Sequence, residues 1–560
     1  MIPKTGDKMR MSKIFCLVAQ SVLLMACTGV KDEPLRPESR SCTLTGTIGL
    51  QDSYTAETRA LTPMGKKTIA AGEKIAVIYT DESDAKVKTE YEFTPGDIFH
   101  YGKKASFTVT LTDPKAGGDL IYIYPASMAN DDGSVKYDKL DAQDGKLSTI
   151  SSNLDLCIYA GKLTADKKLP DTANLANGFA IFELTANNNA ETDITDTITD
   201  ITISDGVNTY AVSLASPTTP IYVAMQPLFK DKTISFTAHN GSSETFIRSV
   251  TGKVLRAGHI YPVNVRLNRK IDLSALTADF EAREDDWLTG SLANNVKISI
   301  ASGASITLSD ADINGSGSWT SGDYAGINCI GAATITLDGT SSVKGFAGAY
   351  PGIFVPSGKT LTLKGDGTLT VANNGGAGAG VGAGSAAGGN VTISGSCTIN
   401  ATGGTGSAGI GASNAATGGN VNISGSVTVT AIGGANAAGI GAGNEKNSGT
   451  IYISGGTVTG IGGANGSGIG GAYNSVSGRI DFKAGLVKVT GIKGTGAKDG
   501  FGRGTAKSGD VYFKDTRRYR GDGSNDVWSP NPMKNGTYDG FVFTITTTTN
   551  TNDTWTIIPS

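Results

Sequence analysis

The chain has 560 residues, a formal net charge of −3 and 77 glycines. This length exceeds what one hydrophobic core normally serves, so several domains are expected. Charged residues make up only 18 % of the sequence, without the basic excess of a nucleic-acid-binding protein. The six cysteines have no CxxC spacing and only three histidines are present, so we expect no metal and no cofactor.

Residues 1–26 have the form of a secretory signal. Basic residues up to Lys13 precede an apolar run over 14–25, which is too short to span a bilayer. Cys27 follows the sequence LMA directly, as in bacterial lipoproteins, and is the predicted lipid-attachment residue. Several acyl chains on one residue hold a protein firmly to a membrane. An ordinary signal with a cysteine at the cut is the alternative.

A polar linker is predicted over residues 27–43. Within it, residues 31–33 (KDE) resemble the short acidic tag that sends Bacteroidetes lipoproteins to the outer face of the outer membrane. We therefore expect an exported outer membrane lipoprotein that faces the cell exterior. A solvated linker with no targeting role is the alternative.

Between residues 44 and 268, short apolar or alternating runs are separated by turn residues at the spacing of β-sandwich strands. Hardly any helical periodicity follows the leader, so the predicted fold class is all-β. The clearest predicted strands are 74–79 (KIAVIY), 107–111 (FTVTL), 120–125 (LIYIYP), 179–184 (FAIFEL), 221–224 (IYVA) and 233–236 (TISF).

Short motifs in the same segment occur in an order that resembles the fimbrillin, or Mfa-like, family of Bacteroidetes pilins and surface lipoproteins. These motifs are 72–75 (GEKI), 124–125 (YP), 225–227 (MQP) and 255–265 (LRAGHIYPVNV). The resemblance implies two transthyretin-like β-sandwiches in tandem over residues 44–268, which divide near residue 160.

The same resemblance suggests a processing site. Members of the family are often matured by cleavage after an arginine near the N-terminus, and Arg59 followed by Ala60 stands at the corresponding place. Cleavage there would free the protein from its lipid and open a groove for a neighbour's strand, which is β-augmentation. An uncut linker arginine is the alternative.

Self-comparison reveals a repeat over residues 294–510. The sequence NVTISG at 390–395 recurs as NVNISG at 420–425 and TIYISG at 450–455, in steps of 30 residues. A second motif keeps the same period: AGVG at 379–382, AGIG at 408–411 and 438–441, and SGIG at 467–470. Alternating Val and Ile with glycine-rich corners predict a Gly-rich parallel β-helix, one coil per repeat. The number of strands per coil and the handedness stay open.

The ends of this solenoid need covering, because stacked coils leave open strand edges. Residues 269–293 are predicted as a linker and first cap, and residues 511–560 as a C-terminal β cap. The first repeats resemble a Gly-rich β-helix module that is common on Bacteroidetes surface proteins, through 324–327 (YAGI), 344–346 (KGF) and 350–353 (YPGI).

Candidate catalytic chemistry on the solenoid is sparse, and no catalytic residue is predicted. Glycosidases need a pair of carboxylates, yet between residues 367 and 480 the only acid is Glu445. Cys329 and Cys397 are expected to be buried apolar side chains rather than redox groups. Acids in the early coils leave a polysaccharide-degrading enzyme as a distant third hypothesis; they are Asp310, Asp312, Asp323, Asp338 and Asp366.

Aromatic residues crowd the first coils, and three of them form a candidate ligand face: Trp319, Tyr324 and Tyr350. Exposed aromatic rings would suit a carbohydrate. Packing against the preceding domain explains the same residues, and is the interpretation that the sequence favours.

The whole sequence predicts a cell-surface adhesin or a fimbrial component at the pilus tip or in an accessory position. A tip position fits because a bulky C-terminal rod would hinder polymerisation past it. The expected partners are other fimbrial subunits, or a host or bacterial surface ligand such as a glycan, and the membrane through the lipid anchor. The alternative is a glycan-binding surface lipoprotein that is not assembled into pili.

Overall fold

The computed structural model describes residues 40–50, 68–154, 156–188, 191–292, 296–314, 324–346, 350–373, 375–505, 508–522, 534–547 and 552–560. Among these residues no helix is long and apolar enough to cross a membrane. The predicted all-β class, with tandem sandwiches followed by a parallel β-helix, is confirmed. The described helical segments are short turns at Pro95–Asp97, Ala126–Met128, Tyr137–Asp141, Leu147–Thr149, Ile150–Leu154, Thr195–Thr197 and Leu273–Ala275.

The first sandwich is one curled sheet in the order β3-β2-β6-β7-β8-β1-β5-β4. Because side chains alternate along a strand, Val77 and Tyr79 of β2 enter the core of this sheet, whereas Ala76 and Ile78 pack into the next core. The predicted division near residue 160 falls inside β7, and the chain leaves this sheet after Asn177. The strands are β1 (Ser41–Leu50), β2 (Lys74–Thr80), β3 (Lys86–Glu92), β4 (Ile98–Phe99), β5 (Lys104–Thr112), β6 (Asp119–Tyr124), β7 (Cys157–Lys162) and β8 (Ala173–Asn177).

The second sandwich packs a three-stranded sheet against a larger one. β12, β9 and β15 form the small sheet, while β10 pairs with β11 and β13, and β13 pairs with β14. Buried Phe182 of β9 stacks on Phe236 of β13 across this core, with ring centroids 6.2 Å apart. The strands are β9 (Ala180–Asn187), β10 (Ile198–Ser204), β11 (Thr209–Ser213), β12 (Ile221–Met225), β13 (Leu228–Asn240), β14 (Thr245–Leu255) and β15 (Ile260–Arg266).

The larger sheet of the second sandwich continues into the solenoid without a break. β16 lies antiparallel to β14 and parallel to β18, and β18 lies parallel to β20. Beside this junction Arg269 donates two hydrogen bonds of 2.8 Å to the buried carboxylate of Asp286. The strands are β16 (Asn268–Asp272), β17 (Phe280–Ala282), β18 (Trp287–Ser291), β19 (Ile298–Ile300) and β20 (Ser305–Asn314).

The solenoid forms a rod. Each of its coils holds three strands, for example β27, β28 and β29. Ile423 lies opposite Ile393 of the preceding coil and Ile453 of the next, all three buried, as the repeat predicts. The strands are β21 (Ile327–Cys329), β22 (Ala333–Asp338), β23 (Thr340–Lys344), β24 (Ile353–Phe354), β25 (Thr360–Gly365), β26 (Thr368–Ala372), β27 (Val381–Gly382), β28 (Asn390–Ile393), β29 (Thr398–Thr402), β30 (Ile410–Gly411), β31 (Val421–Ile423), β32 (Thr428–Ile432), β33 (Ile440–Gly441), β34 (Ile451–Ile453), β35 (Gly456–Ile461), β36 (Ile469–Gly470), β37 (Ile480–Phe482), β38 (Leu486–Ile492) and β39 (Phe501–Gly502).

After β40, which still lies parallel to β37, the last strands pair antiparallel and close the end of the rod. β44 runs antiparallel to β38, which ends the parallel ladder on that face. Buried aromatic rings fill the end of the core beneath it: Trp555 lies edge-on to Phe501 and Phe543, at centroid distances of 6.0 and 5.3 Å. The strands are β40 (Ser508–Phe513), β41 (Thr516–Asp522), β42 (Gly536–Tyr538), β43 (Phe541–Thr546) and β44 (Thr554–Pro559).

The cysteines on the rod behave as apolar side chains. Cys329 and Cys397 are buried and not in disulfides. Burial raises the pKa of the Cys329 thiol to about 12 and that of Cys397 to about 11. Both thiols therefore stay protonated at neutral pH and contribute packing rather than redox chemistry.

Candidate functional site

One face of the rod carries the glycine-rich motif, and its first coils differ from the rest. On this face the second residue of the short strand is glycine in β27, β30, β33, β36 and β39. The first of these, Gly382, has φ +129°, and an added Cβ would lie 2.4 Å from the carbonyl oxygen of Gly411. In the earlier coils, Asn328 of β21 and Phe354 of β24 occupy the same register position.

A second position on this face changes in the same way. Three residues before the short strand, the early coils have Tyr324 and Tyr350, whereas later coils have Gly378, Ser407 and Ala437. Two adjacent coils thus carry large side chains at positions where the following coils have glycine or another small residue. Tyr324 also packs against the hydrophobic core of the rod, whereas Tyr350 and Phe354 are not among the side chains packed against that core.

The result is a cleft of about 200 Å³ where the large side chains give way to glycine. Tyr324, Tyr350 and Phe354 all line it and are partly exposed. The structure therefore brings together two of the three residues predicted for a ligand face. The third, Trp319, lies outside the described residues. The remaining lining residues are Lys297, Ala325, Asn328, Ser385 and Ala386.

Lys297 gives the cleft a positive charge. Its Nζ lies 5.5 Å from the ring centroid of Tyr324. Its backbone N–H donates to Asp279, but within the described part of the chain no carboxylate lies at ion-pair distance from the ammonium group. Tyrosine hydroxyls, the amide of Asn328 and the hydroxyl of Ser385 add polar groups beside the rings. The cleft thus combines apolar faces, hydrogen-bonding groups and one cation.

Sequence reasoning missed Lys297, Asn328 and Ser385. The first coils keep only part of the glycine motif, as AGI at 325–327 and PGI at 351–353, and lack its last glycine. Aligning Ile327 and Ile353 with Val381 would have placed Asn328 and Phe354 at the glycine position. That register was the signal available in the sequence.

A strand of the first sandwich lies between the predicted lipid site and the predicted cleavage site. Cys27, Arg59 and Ala60 lie outside the described residues. β1, which ends at Leu50, is described. β1 sits between β5, to which it is antiparallel, and β8, to which it is parallel, and it contributes buried Ile48 to the core. A cut after Arg59 would separate this central strand from the rest of the chain.

The second sandwich has an open side that the sequence did not reveal. A cavity of about 510 Å³ lies between β14 and β15. In the described structure β15 pairs only with β9, and β14 beyond Ile247 pairs only with β13. Val250, Leu255 and Val263 give this groove apolar walls, and Arg248 lies at its edge.

The acids of the early coils join one coil to the next. Asp310 accepts a hydrogen bond of 2.8 Å from the backbone N–H of Thr340, and Ser309 donates to Asp338 at 3.1 Å. These carboxylates thus support coil stacking. Within the described ranges no group of three or more His, Cys, Asp or Glu residues could hold a metal ion.

No family model matches this chain, and no curated protein matches it. Among solved structures, a candidate cell adhesion protein of Bacteroides fragilis aligns at 12 % identity over 39 % of this chain and 91 % of its own, with a TM-score of 0.24. A candidate cell adhesion protein of Bacteroides ovatus aligns at 12 % identity over 41 % and 95 %, with a TM-score of 0.25. A fimbrial protein of Bacteroides ovatus aligns at 10 % identity over 40 % and 49 %, with a TM-score of 0.21. These values leave the function of this chain to be argued from its own residues.

Proposed function

We propose that this protein is an outer membrane lipoprotein, facing the cell exterior, that acts as a surface adhesin or as a tip or accessory subunit of a pilus. The observation that carries the proposal is the continuous sheet from β14 through β16 and β18 into β20. Hydrogen bonds of one sheet join the rod to the second sandwich. The rod therefore projects from that sandwich directly, without a flexible linker between them. A protein built this way presents the rod to its surroundings.

The proposed position at a pilus tip is supported by the pairing of β1 and of β44. Loss of β1 after a cut at Arg59 would leave the facing edges of β5 and β8 unpaired, and such edges accept a strand from another chain. At the other end, β44 is already paired with β38 and β43. The chain would therefore accept a strand from another fimbrial subunit, while β44, the last strand that the structure describes, is already paired within the rod.

The cleavage site is tested with matched variants. Cells would produce the wild type, Arg59→Ala, Arg40→Ala and Cys27→Ala, followed by N-terminal sequencing of the surface protein and its detection in sheared pili. We expect the wild type and Arg40→Ala to begin at Ala60 and to accompany the pili. Arg59→Ala should stay with the membrane and carry the fatty-acid label, and Cys27→Ala should leave the uncut precursor unlabelled. Arg40 is the control because a cut there would leave β1 attached.

The second candidate function, a glycan-binding lipoprotein outside any pilus, is supported by the cleft beside Tyr324 and Tyr350. A wild-type surface form that begins only at Cys27 and is absent from pili would overturn the pilus role and favour this candidate. A reducing-end assay of the full chain on polysaccharides tests the third alternative, an enzyme. Released reducing ends would contradict both binding roles.

A further inference from the structure

We infer that the cleft on the first coils binds one acidic sugar residue of a surface polysaccharide, with its ring against Tyr350 and Phe354 and its carboxylate at Lys297. The inference rests on the proposed function in one respect, that the rod is displayed outside the cell. It adds the chemical class of the ligand and the residues that recognise it.

The first step is that the aromatic rings serve something other than the fold. Gly382 and Gly411 occupy the register position of Phe354 in the next two coils, and those coils stack without a side chain there. Gly378 likewise stands where Tyr350 stands one coil earlier. A partly exposed ring at a position that the fold fills with glycine is better explained by a ligand than by packing. This reverses the preference drawn from the sequence.

The second step concerns the kind of ligand. Ligand pockets of about 300–1,000 Å³ bury a drug-sized molecule, so a cleft of about 200 Å³ accommodates less, on the scale of a single sugar ring. Aromatic side chains offer apolar faces with a polar group at the edge. A pyranose has the complementary surface, C–H bonds on its faces and hydroxyls around its rim. Asn328 and Ser385 also line the cleft and offer an amide and a hydroxyl to such hydroxyls.

The third step concerns charge. The cleft has a cation in Lys297 and no acidic residue among the lining residues that the structure describes. An ammonium group with no carboxylate at ion-pair distance attracts an anion, and a charge-assisted hydrogen bond is about twice as strong as a neutral one. A hexuronate supplies a ring and a carboxylate together. A neutral hexose would use the rings and leave the cation without a carboxylate, in contact with the ring of Tyr324.

The fourth step concerns the polymer. The cleft is at the surface, and Ser385 and Ala386 on its far side are exposed. A sugar within a chain could therefore enter sideways, with its neighbours continuing along the rod. Binding of one residue is weak, and many copies on a cell surface would supply the avidity that adhesion needs.

The test uses the full chain purified in detergent and two probes that differ only at C6, methyl β-D-glucuronide and methyl β-D-glucoside. Saturation-transfer NMR titrations would compare the wild type with Lys297→Gln, Tyr350→Ala and Phe354→Ala. We expect the glucuronide to bind about tenfold more tightly than the glucoside, because hydrogen bonds to charged groups contribute more than neutral ones. Lys297→Gln should remove this preference, and loss of either ring should weaken both sugars. Added salt should weaken only the glucuronide.

Matched controls separate the cleft from the rest of the rod. Lys359→Gln removes an exposed lysine of a neighbouring coil, and Tyr452→Ala removes a partly exposed tyrosine of a middle coil. Both variants should bind both probes like the wild type. Melting temperatures of all variants show whether the rod remains folded. If the Tyr350→Ala variant is unfolded, Phe354→Ala tests the ring contact by itself.

Each outcome decides between specific statements. Binding of both sugars with no effect of Lys297→Gln would overturn the acidic ligand while keeping a glycan. No binding of either probe by a folded chain, or binding that survives the ring and lysine variants, would overturn the site. In that case cleavage after Arg59 and co-sedimentation with pili would still support the proposed function. Failure of the ligand site is therefore distinguishable from failure of the proposed function.

Discussion

The sandwich pair and the rod both bury one face of a sheet, but they pair segments of the chain at different sequence separations. In the first sandwich Thr43 contacts Thr110, 67 residues away, and the sheet closes only when distant segments meet. In the rod Asn390 accepts a hydrogen bond from the backbone of Asn420, 30 residues away, and the same step recurs along its length. We therefore expect a destabilising substitution in a sandwich to affect its whole core, whereas one in the rod should affect its own coil and then the neighbouring coils.

The largest difference in stability between the two regions should come from Ile423→Asp. Ile423 is 1 % exposed and lies between Ile393 and Ile453. The variant loses a buried apolar side chain and introduces a charge without a partner, which should destabilise the rod by more than about 5 kcal/mol. Limited proteolysis should yield an intact N-terminal fragment and a digested rod.

Asn422→Asp is the matched control, since it places the same carboxylate one residue earlier on the outer face of the strand. It should resist protease like the wild type. Equal resistance of the Ile423→Asp rod would contradict the assigned register. Loss of the sandwiches together with the rod would contradict their independence.

The junction between the two regions should be the next most sensitive place. Arg269→Met leaves the carboxylate of Asp286 buried without its cation, and breaking a buried ion pair from one side costs about 3–5 kcal/mol. The pair also raises the pKa of Arg269 through the hydrogen bonds from its guanidinium to Asp286. Hydrogen exchange should accelerate in β16 and β18, which adjoin the pair.

Arg266→Met provides the comparison, because Arg266 pairs with Glu191 on the surface, where ion pairs contribute about 0–1 kcal/mol. Exchange at the junction should hardly change in that variant. Equal exchange in both variants would mean that the sheet alone couples the sandwich to the rod.

The smallest of the three effects is expected from Gly411→Ala. Gly411 has φ +133°, and an added Cβ would lie 2.3 Å from the carbonyl oxygen of Gly441. Overpacking and backbone strain should together destabilise the rod by about 1–3 kcal/mol, because movement of the coil relieves part of both. Chemical denaturation of the full chain should show an earlier loss of the rod.

Gly358→Ala separates those two contributions. Gly358 has φ +74° but nothing within 4 Å of an added Cβ, so only the strain remains. A loss of stability as large as that of Gly411→Ala would show that coil spacing does not constrain the glycine face.

The rod was predictable because its period is written in the sequence. Ile393, Ile423 and Ile453 recur in one step, and a parallel stack is the arrangement that aligns them. For the sandwiches, the individual strands were predictable, but which strands pair with each other was not. Nothing local to β1 indicates that it lies parallel to β8, because that contact depends on how the intervening chain folds.

The candidate site was half predictable for a related reason. Tyr324 and Tyr350 stood out because aromatic residues crowd the first coils and are scarce in the middle ones, and both line one cleft. Lys297 did not stand out, since a single lysine before a short strand has no distinguishing pattern. Only the coil geometry brings it to Tyr324.

The identical step from coil to coil also has an evolutionary consequence. Exchange between misaligned repeats in the gene would delete or add one whole coil, and the new neighbours would meet in the register that Val391, Val421 and Ile451 already share. Neither the junction at β18 nor the closing strand β44 would be touched. Rod length in such a lineage can therefore change in units of one coil, which sets the distance between the junction at β18 and the closing strand β44.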